Sequence, residues 1–115
     1  MTNGPILSVD VAHPPRHPEA VERELAEALS LVRSSPSLRI LKIIHGYGSG
    51  GKGGATKTTV LNWAYRQRGR FRAIVAGEEY GLFDPNTRSM RQETGHVPDP
   101  DLDSANKGVT LLWIK

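Results

Sequence analysis

The clearest pattern in the chain is an apolar stripe within "PEAVERELAEALSLVRSS", residues 18–35. Its apolar positions recur at steps of three and four residues, and they are Val21, Leu25, Ala28, Leu29 and Val32. This spacing predicts an amphipathic helix that packs one face on a core. Pro18 suits the first turn of such a helix, and "SSPS" at 34–37 ends the pattern.

Four apolar segments rich in β-branched residues predict strands, and a second helical segment lies between two of them. The strands are "ILSVDVA" (6–12), "LRILKIIHG" (38–46), "RFRAIVAG" (70–77) and "VTLLWI" (109–114), and the helix is "ATKTTVLNWAYRQR" (55–68). The order β-α-β-α-β-β predicts a two-layer α/β domain with a four-stranded mixed sheet.

Residues 77–108 carry turn-forming residues and no sustained period, so they predict a long loop or insertion in a single domain of residues 1–115. The acidic run "DPDLD" at 99–103 in this segment lacks the glycine and terminal glutamate of a calcium loop. It is therefore predicted to be a solvated turn.

Composition excludes several classes of function. The chain has no cysteine, which removes disulfides, thiolate zinc sites and cysteine nucleophiles. It has no apolar run of membrane-spanning length, and its first residues lack the pattern of a signal peptide. We therefore expect no membrane association and a cytoplasmic location.

Charge is unevenly distributed along a chain whose net charge is only +3. No acidic residue occurs between Ala28 and Gly77. The basic residues of that interval are Arg33, Arg39, Lys42, Lys52, Lys57, Arg66, Arg68, Arg70 and Arg72. This bias indicates a polyanionic partner. The alternative is a solvated face whose charges pair with the glutamates of residues 19–27.

The glycine-rich segment "HGYGSGGKGGATK", residues 45–57, lies between the second strand and the second helix. Glycines let backbone amides approach a phosphate closely, and the helix start adds further N–H groups. Gly46, Gly51 and Lys52 fit part of a P-loop, but Gly53 replaces the hydroxyl residue that holds magnesium. A nucleotide and a nucleic-acid backbone both remain candidate ligands, and Tyr47 is a candidate for stacking on a base.

The segment "IIHGYGSG" carries an H-G-x-G-x-G signature at His45, Gly46, Gly48 and Gly50, and here the chain resembles the Smr (small MutS-related) domains. The resemblance extends to "VDVAHPPRHPEAV" (9–21) and "GVTLLWI" (108–114). Counted from Asp10, the histidine of the first family motif falls on Ala12, whereas counted back from Glu19 it falls on His13. The resemblance implies a fold similar to the C-terminal domain of translation initiation factor three.

The resemblance also implies that DNA or RNA is the partner, and that the domain nicks DNA or cuts RNA if it is one of the nucleases of the family. The catalytic candidates are Asp10, His13 and His45, with a divalent ion such as magnesium as a potential cofactor. The nucleic-acid-binding candidates are Gly46, Tyr47, Gly48, Ser49, Gly50, Lys52, Lys57, Arg66 and Arg68. The alternatives are a protein-interaction module that uses residues 77–108 and a P-loop-type nucleotide binder.

Overall fold

The computed structural model describes residues 1–47 and 53–115, and its centre is a mixed sheet of five strands in the order β1-β2-β3-β5-β4. The strands are β1 (Thr2–Asn3), β2 (Ile6–Asp10), β3 (Ile40–Ile44), β4 (Phe71–Ala76) and β5 (Val109–Ile114). Strands β2 and β3 are parallel, and the other pairs are antiparallel. The predicted mixed sheet is confirmed, with five strands rather than four.

The additional strand is β1, which pairs antiparallel with β2 at the edge of the sheet. Its two residues are exposed and polar, so no apolar alternation marks them in the sequence. Their strand conformation is stabilised by backbone pairing with β2, which is a tertiary effect on a segment without its own pattern.

Helix α1 (Pro18–Ser34) connects β2 to β3, and α2 (Gly53–Arg66) connects β3 to β4. The ring of His17 caps α1 by accepting a hydrogen bond from the N–H of Glu19 at 3.2 Å. The predicted stripe of α1 is buried, and it packs with Leu41 and Ile43 of β3 and with Trp63 of α2 on one face of the sheet. This face contains the larger part of the core.

The segment 77–108 covers the opposite face of the sheet and contains a third helix, α3 (Pro85–Thr94). Tyr80 and Met90 from this segment are buried against Trp113 and Leu111 of β5. The prediction of a long loop missed α3 because only Thr87 and Met90 of its ten residues are buried, which is too few for an apolar stripe. The sheet is therefore covered on two faces rather than one.

The register of the strands gives the sheet two ends with different residues. At one end, which we term the turn edge, β2 and β3 finish together because Asp10 pairs with Ile44, and Val109 begins β5 opposite them. At the other end, Phe71 begins β4 beside Ile114, the last residue of β5. None of the helices in the described part of the chain is long and apolar enough to cross a membrane.

Candidate functional site

His45 lies at the turn edge, immediately after β3, but its side chain is 0% exposed. Its Nδ1 lies within hydrogen-bond distance of the Gly46 carbonyl, and its Nε2 lies 2.8 Å from the Thr110 hydroxyl. A neutral ring satisfies both contacts, because Nδ1–H donates to the carbonyl and Nε2 accepts from the hydroxyl. Neither ring nitrogen is then available to a substrate, so the geometry does not support the predicted catalytic role of His45.

The contacts of His45 hold the residues that follow β3, Gly46 and Tyr47, against the start of β5, and we term these two residues the glycine turn. The N–H groups of His45 and Gly46 both donate to the carbonyl of Gly108, at 2.9 and 3.1 Å. Gly46 has a φ of 68°, which is a left-handed conformation that favours glycine. A Cβ added at Gly108 would lie 3.4 Å from the Cα of Gly46, so the two backbones pass close together. The histidine is therefore part of the support of the turn.

Asp10 and His13 form an exposed pair at the same edge. The Asp10 carboxylate accepts hydrogen bonds from the N–H of Ala12 at 2.9 Å and of His13 at 3.0 Å, and it lies 2.9 Å from Nδ1 of His13. Partial burial would by itself raise the pKa of Asp10, but these hydrogen bonds hold it below its usual value. The His13 side chain is 70% exposed, so the ring is oriented by a carboxylate and open to solvent.

The turn after β2 lies beside the turn after β3. A Cβ built on Gly46 would lie 4.0 Å from the Cβ of Ala12, which is buried between Asp10 and His13 in the sequence. The backbones that carry the catalytic candidates Asp10, His13 and His45 are therefore close together at the turn edge. Their side chains have different surroundings, since Asp10 and His13 are exposed and His45 is buried.

An aromatic ring and a cation lie at the glycine turn. Tyr47 is 55% exposed and lines an open groove of about 510 Å³ with Ser104, Ala105, Asn106 and Lys107. The ammonium of Lys57, in the second turn of α2, donates to the Lys107 carbonyl at 3.1 Å and lies 3.9 Å from a carboxylate oxygen of Glu78. The groove thus has an aromatic wall and one lysine, Lys107, in its lining, and Lys57 is attached to the backbone of Lys107.

A buried charge network fixes the loop that forms the second wall of this groove. The ammonium of Lys42 lies 2.7 Å from carboxylate oxygens of both Asp99 and Asp101, and Tyr80 donates to Asp99 at 3.0 Å. Burial would by itself lower the pKa of Lys42, but both carboxylates hold it above its usual value. The predicted turn at residues 99–103 is present, but the prediction that it is solvated is wrong for Asp99, whose side chain is 1% exposed and pairs with Lys42.

The network continues to the glycine turn. Asp101 accepts from the side-chain amide of Asn106 at 2.8 Å, and the amide oxygen of Asn106 accepts from the N–H of Gly108 at 2.8 Å. Gly108 in turn binds His45 and Gly46 through its carbonyl. Hydrogen bonds therefore run without interruption from the middle of β3 to the turn.

Sequence reasoning missed Lys42, Asp99 and Asn106 as support for the site. A lysine in an otherwise apolar strand was a usable signal, because such a residue is buried only when a carboxylate pairs with it. The partner could not be identified, since Asp99 is 57 residues away in the chain.

The remaining predicted binding residues either lie outside the described part of the chain or lie far from the glycine turn. Gly48, Ser49, Gly50 and Lys52 lie outside the described residues. Arg66 ends α2, away from the turn at its start, and pairs with Glu22 of α1 at 2.6 Å. Arg68 follows α2 and lies over the ring of Tyr65 at 4.0 Å. A helix of 14 residues is about 20 Å long, so these two arginines do not continue the surface around the glycine turn.

Residues that could hold a metal ion do not come together in the part of the chain that the structure describes. No group of three or more histidine, cysteine, aspartate or glutamate side chains is arranged for this purpose there. At the turn edge Asp10 is the carboxylate beside His13, and its oxygens already accept hydrogen bonds from Ala12 and His13. These residues do not fit a magnesium site, and we derive no chemistry through one.

Comparison with known proteins gives a structural match without a sequence match. No family model matches the chain, and no curated protein matches it. The solved structure of the Smr domain of Thermus thermophilus MutS2 is similar, with a TM-score of 0.55 over 96% of each chain and 16% sequence identity. The resemblance inferred from the glycine signature is confirmed for the fold, and the chain is an Smr-like domain in its architecture.

Proposed function

We propose that this Smr-like domain binds nucleic acid at the turn edge, with the groove beside Tyr47 as the principal contact. The observation that carries the proposal is the position of Tyr47, which is exposed in a groove with Lys107, next to a backbone fixed by buried hydrogen bonds. The Lys57 ammonium donates to the Lys107 carbonyl and adds a second cation near this groove. Aromatic rings that face solvent beside cations suit stacking on unpaired bases with contacts to phosphate. The likeness to an Smr domain supports the same ligand class.

Binding is tested by fluorescence anisotropy with short labelled single strands and duplexes of DNA and RNA over a salt series, and with ATP in parallel. We expect affinity to fall with added salt, since phosphate contacts release counterions. Saturable ATP binding without nucleic-acid binding would instead support the nucleotide-binding alternative. The residues Gly51 and Lys52 on which that alternative depends lie outside the described part of the chain.

Tyr47→Ala isolates the contribution of stacking. Loss of one stacked base costs about 1–3 kcal/mol, so we expect single-strand affinity to fall roughly 5- to 150-fold. The matched control is Phe83→Ala, because Phe83 is an aromatic residue that is 96% exposed and is not among the residues that line the groove. Equal affinities of the two variants would contradict a binding groove at Tyr47.

Phosphodiester cleavage is a second candidate function, and the Asp10–His13 pair favours it. A carboxylate that holds Nδ1–H leaves Nε2 of the same ring able to accept a proton from an attacking water or hydroxyl. In this proposal His13 is the general base, Asp10 orients its ring, and His45 supports the turn without reaching the substrate. The proposal assigns the histidine of the first motif to His13 rather than Ala12.

Nicking of supercoiled plasmid and cleavage of labelled RNA test this assignment, with and without magnesium. We expect His13→Ala to abolish cleavage and Asp10→Asn to reduce it, while both variants retain binding. His17→Ala is the control, since His17 is also an exposed histidine and caps α1. Cleavage that persists in His13→Ala would remove this residue from the mechanism.

A protein-interaction module that uses residues 77–108 is the remaining alternative, and the exposed apolar pair Leu82 and Phe83 favours it. These side chains are 51% and 96% exposed, just before α3. Two results together would support this alternative over the principal proposal. The domain would bind none of the nucleic acids tested, and a protein that co-purifies with the unmodified domain would no longer bind Phe83→Ala.

A further inference from the structure

Four arginines that are distant in sequence lie around adjoining depressions at the end of the sheet opposite the turn edge. We term this surface the arginine edge, and its residues are Arg33, Arg39, Arg70 and Arg72. Arg33 and Arg70 line a groove of about 560 Å³ between α1 and α2. Arg39 lies with Arg33 in a second depression and with Arg72 in a third, so the four side chains are contiguous.

Strand pairing brings these residues together. The N–H of Ile114 donates to the Arg39 carbonyl, and the N–H of Lys115 donates to the Arg70 carbonyl, each at 2.9 Å. Arg33 lies in the last turn of α1, and Arg72 is the second residue of β4. The α1–β3 connection and the α2–β4 connection therefore meet at one end of the sheet, each with arginines.

The positive charge of the arginine edge is not neutralised within the described parts of the chain. All four arginines are exposed, and none of them forms an ion pair with a carboxylate among those residues. Arg39 donates instead to the carbonyls of Ser35, Pro36 and Leu38 at 2.7–3.2 Å, which orients its guanidinium without cancelling its charge. Glu93 is the one acidic residue that lines these depressions.

We propose that the arginine edge is a second binding surface for the phosphates of nucleic acid, separate from the turn edge. Unpaired guanidinium groups in a row suit phosphate because each group presents several N–H donors in a plane. Arg72 lies over the Trp113 ring at 5.6 Å, and Ser30, Ser34 and Gln67 add polar groups to the larger groove. Mixed hydroxyl, amide and guanidinium donors are typical of contacts to a sugar-phosphate backbone.

The two surfaces are at opposite ends of the sheet. The β3 strand runs from Ile40 near the arginine edge to Ile44 at the turn edge, a distance of about 13 Å between their Cα atoms at 3.3 Å per residue. A single extended strand or duplex can contact both, or two segments can be held by one domain. This proposal does not depend on the groove at Tyr47, since it is carried by different residues.

The test compares Arg33→Gln/Arg70→Gln with the control Arg23→Gln/Arg88→Gln. Both double variants remove two exposed arginines, and the control residues lie on α1 and α3 outside the three depressions. We expect the slope of log affinity against log salt for duplex binding to decrease by about two in the first variant and to stay near that of the unmodified protein in the second. Equal slopes and affinities in the two variants would overturn the proposal.

Arg72→Gln is an independent test. The Arg72 guanidinium donates no hydrogen bond to the described backbone, so its removal should leave the fold intact. Melting curves check the fold of each variant. We expect the slope of log affinity against log salt to decrease by about one in Arg72→Gln.

Binding to vesicles with and without phosphatidylserine tests whether the arginine edge binds an anionic membrane surface instead of nucleic acid. Arginine variants that lose vesicle binding but keep unchanged nucleic-acid binding would overturn the inference. Comparison with Tyr47→Ala separates the two surfaces, since failure of the principal proposal leaves that variant unchanged while the arginine variants still lose affinity.

Discussion

His45 is the residue whose chemistry is altered most by its position. Burial lowers the pKa of its imidazole, and the nearby Lys57 ammonium lowers it further, while the hydrogen bond to the Gly46 carbonyl acts in the opposite direction. The folded state therefore holds a neutral ring, whereas the unfolded chain protonates the same ring near pH 6.5. A residue that resembles a catalytic histidine in sequence is here a pH-sensitive part of the support of the turn.

We predict that acid destabilises the domain through His45. Below about pH 6.5 the unfolded state binds more protons at this site than the folded state does, so the free energy of unfolding falls as pH falls. The stabilising contribution of the neutral His45 ring is fully present above that pH. Urea denaturation at a series of pH values from about 8 to 5 measures the effect, where carboxylates contribute little.

His45→Gln is the variant that isolates this effect, because glutamine offers polar atoms to Thr110 without titrating. We expect it to lose about 1–3 kcal/mol at neutral pH through imperfect hydrogen bonds in a buried site. The free energy of unfolding of this variant should decrease less between about pH 6.5 and pH 5 than that of the unmodified protein. A decrease of the same size in the variant would show that His45 is not the source of the acid sensitivity.

At the scale of elements, the segment 77–108 is the part of the fold that completes the site. Its helix α3 covers one face of the sheet, and its loop from Asp99 to Lys107 is attached to β3 through Lys42. Asp103 and Ala105 in that loop adopt left-handed backbone conformations, with φ of 61° and 52°. Such conformations are unfavourable for these residue types and persist when surrounding contacts enforce them, as the charge network does here.

We predict that removal of the Lys42 charge is strongly destabilising. Lys42→Met leaves Asp99, which is 1% exposed, without its cation, and breaking one partner of a buried pair costs about 3–5 kcal/mol. The double variant Lys42→Met/Asp99→Asn removes both charges, so its loss should be smaller than the sum of the single losses by roughly 0.5–3 kcal/mol. Chemical denaturation of the four proteins measures this coupling, and additive losses would show that the pair is not coupled.

Gly77 gives a second prediction at this scale. A Cβ at this position would lie 1.9 Å from the Asn106 carbonyl oxygen and 2.6 Å from that of Val109, and backbone atoms cannot move aside locally. We expect Gly77→Ala to destabilise by about 3 kcal/mol or more and to weaken binding at the turn edge, because Gly108 lies between the two displaced residues.

The matched control for this change is Gly69→Ala, since a Cβ at Gly69 meets nothing within 4 Å. Its effect on the free energy of unfolding should stay within about 0.5 kcal/mol. Thermal melts of both variants measure the difference, and similar melting temperatures would contradict a tight approach between the start of 77–108 and β5.

At the scale of the whole molecule, the basic residues of the acid-free interval between Ala28 and Gly77 lie in several different environments. Lys42 is buried in the charge network, Lys57 lies at the turn edge, and Arg33, Arg39, Arg70 and Arg72 form the arginine edge. Arg66 pairs with Glu22, as expected for a solvated helix face. The net charge of +3 therefore understates the local charge that a polyanion meets at either end of the sheet.

We predict that the two ends contribute independently to nucleic-acid affinity. Substitutions more than about 10 Å apart that share no partner usually have additive effects within about 0.5 kcal/mol, which is roughly a factor of two in affinity. Combining Tyr47→Ala with Arg33→Gln/Arg70→Gln should therefore multiply the separate losses. Anisotropy titrations with a duplex that carries a single-stranded tail measure this, and a combined loss no larger than either separate loss would contradict independent contacts.

Much of the fold was predictable because its main elements carry local patterns. The apolar stripe of α1 and the four apolar strands determine their own conformations, and the glycine signature with its flanking motifs indicated the Smr-like fold that the structural comparison confirms. Trp63 and Trp113 lie within these elements and are buried. The edge strand β1 and helix α3 were not predictable, since backbone pairing and capping stabilise them without an apolar stripe.

The sequence by itself determined that Asp10 and His45 lie near the ends of two apolar strands joined by one helix. That these two strands are neighbours was decided by the tertiary structure, because β3 and β4 are also joined by one helix but do not pair. Only the tertiary structure decided which histidine is accessible: the β5 contacts enclose His45, while the turn after β2 exposes His13. It also decided which cations share a surface, since strand pairing joins Arg39 to Arg70 and the Asp99 loop encloses Lys42. These outcomes depend on contacts between residues far apart in the chain, and no local pattern encodes such contacts.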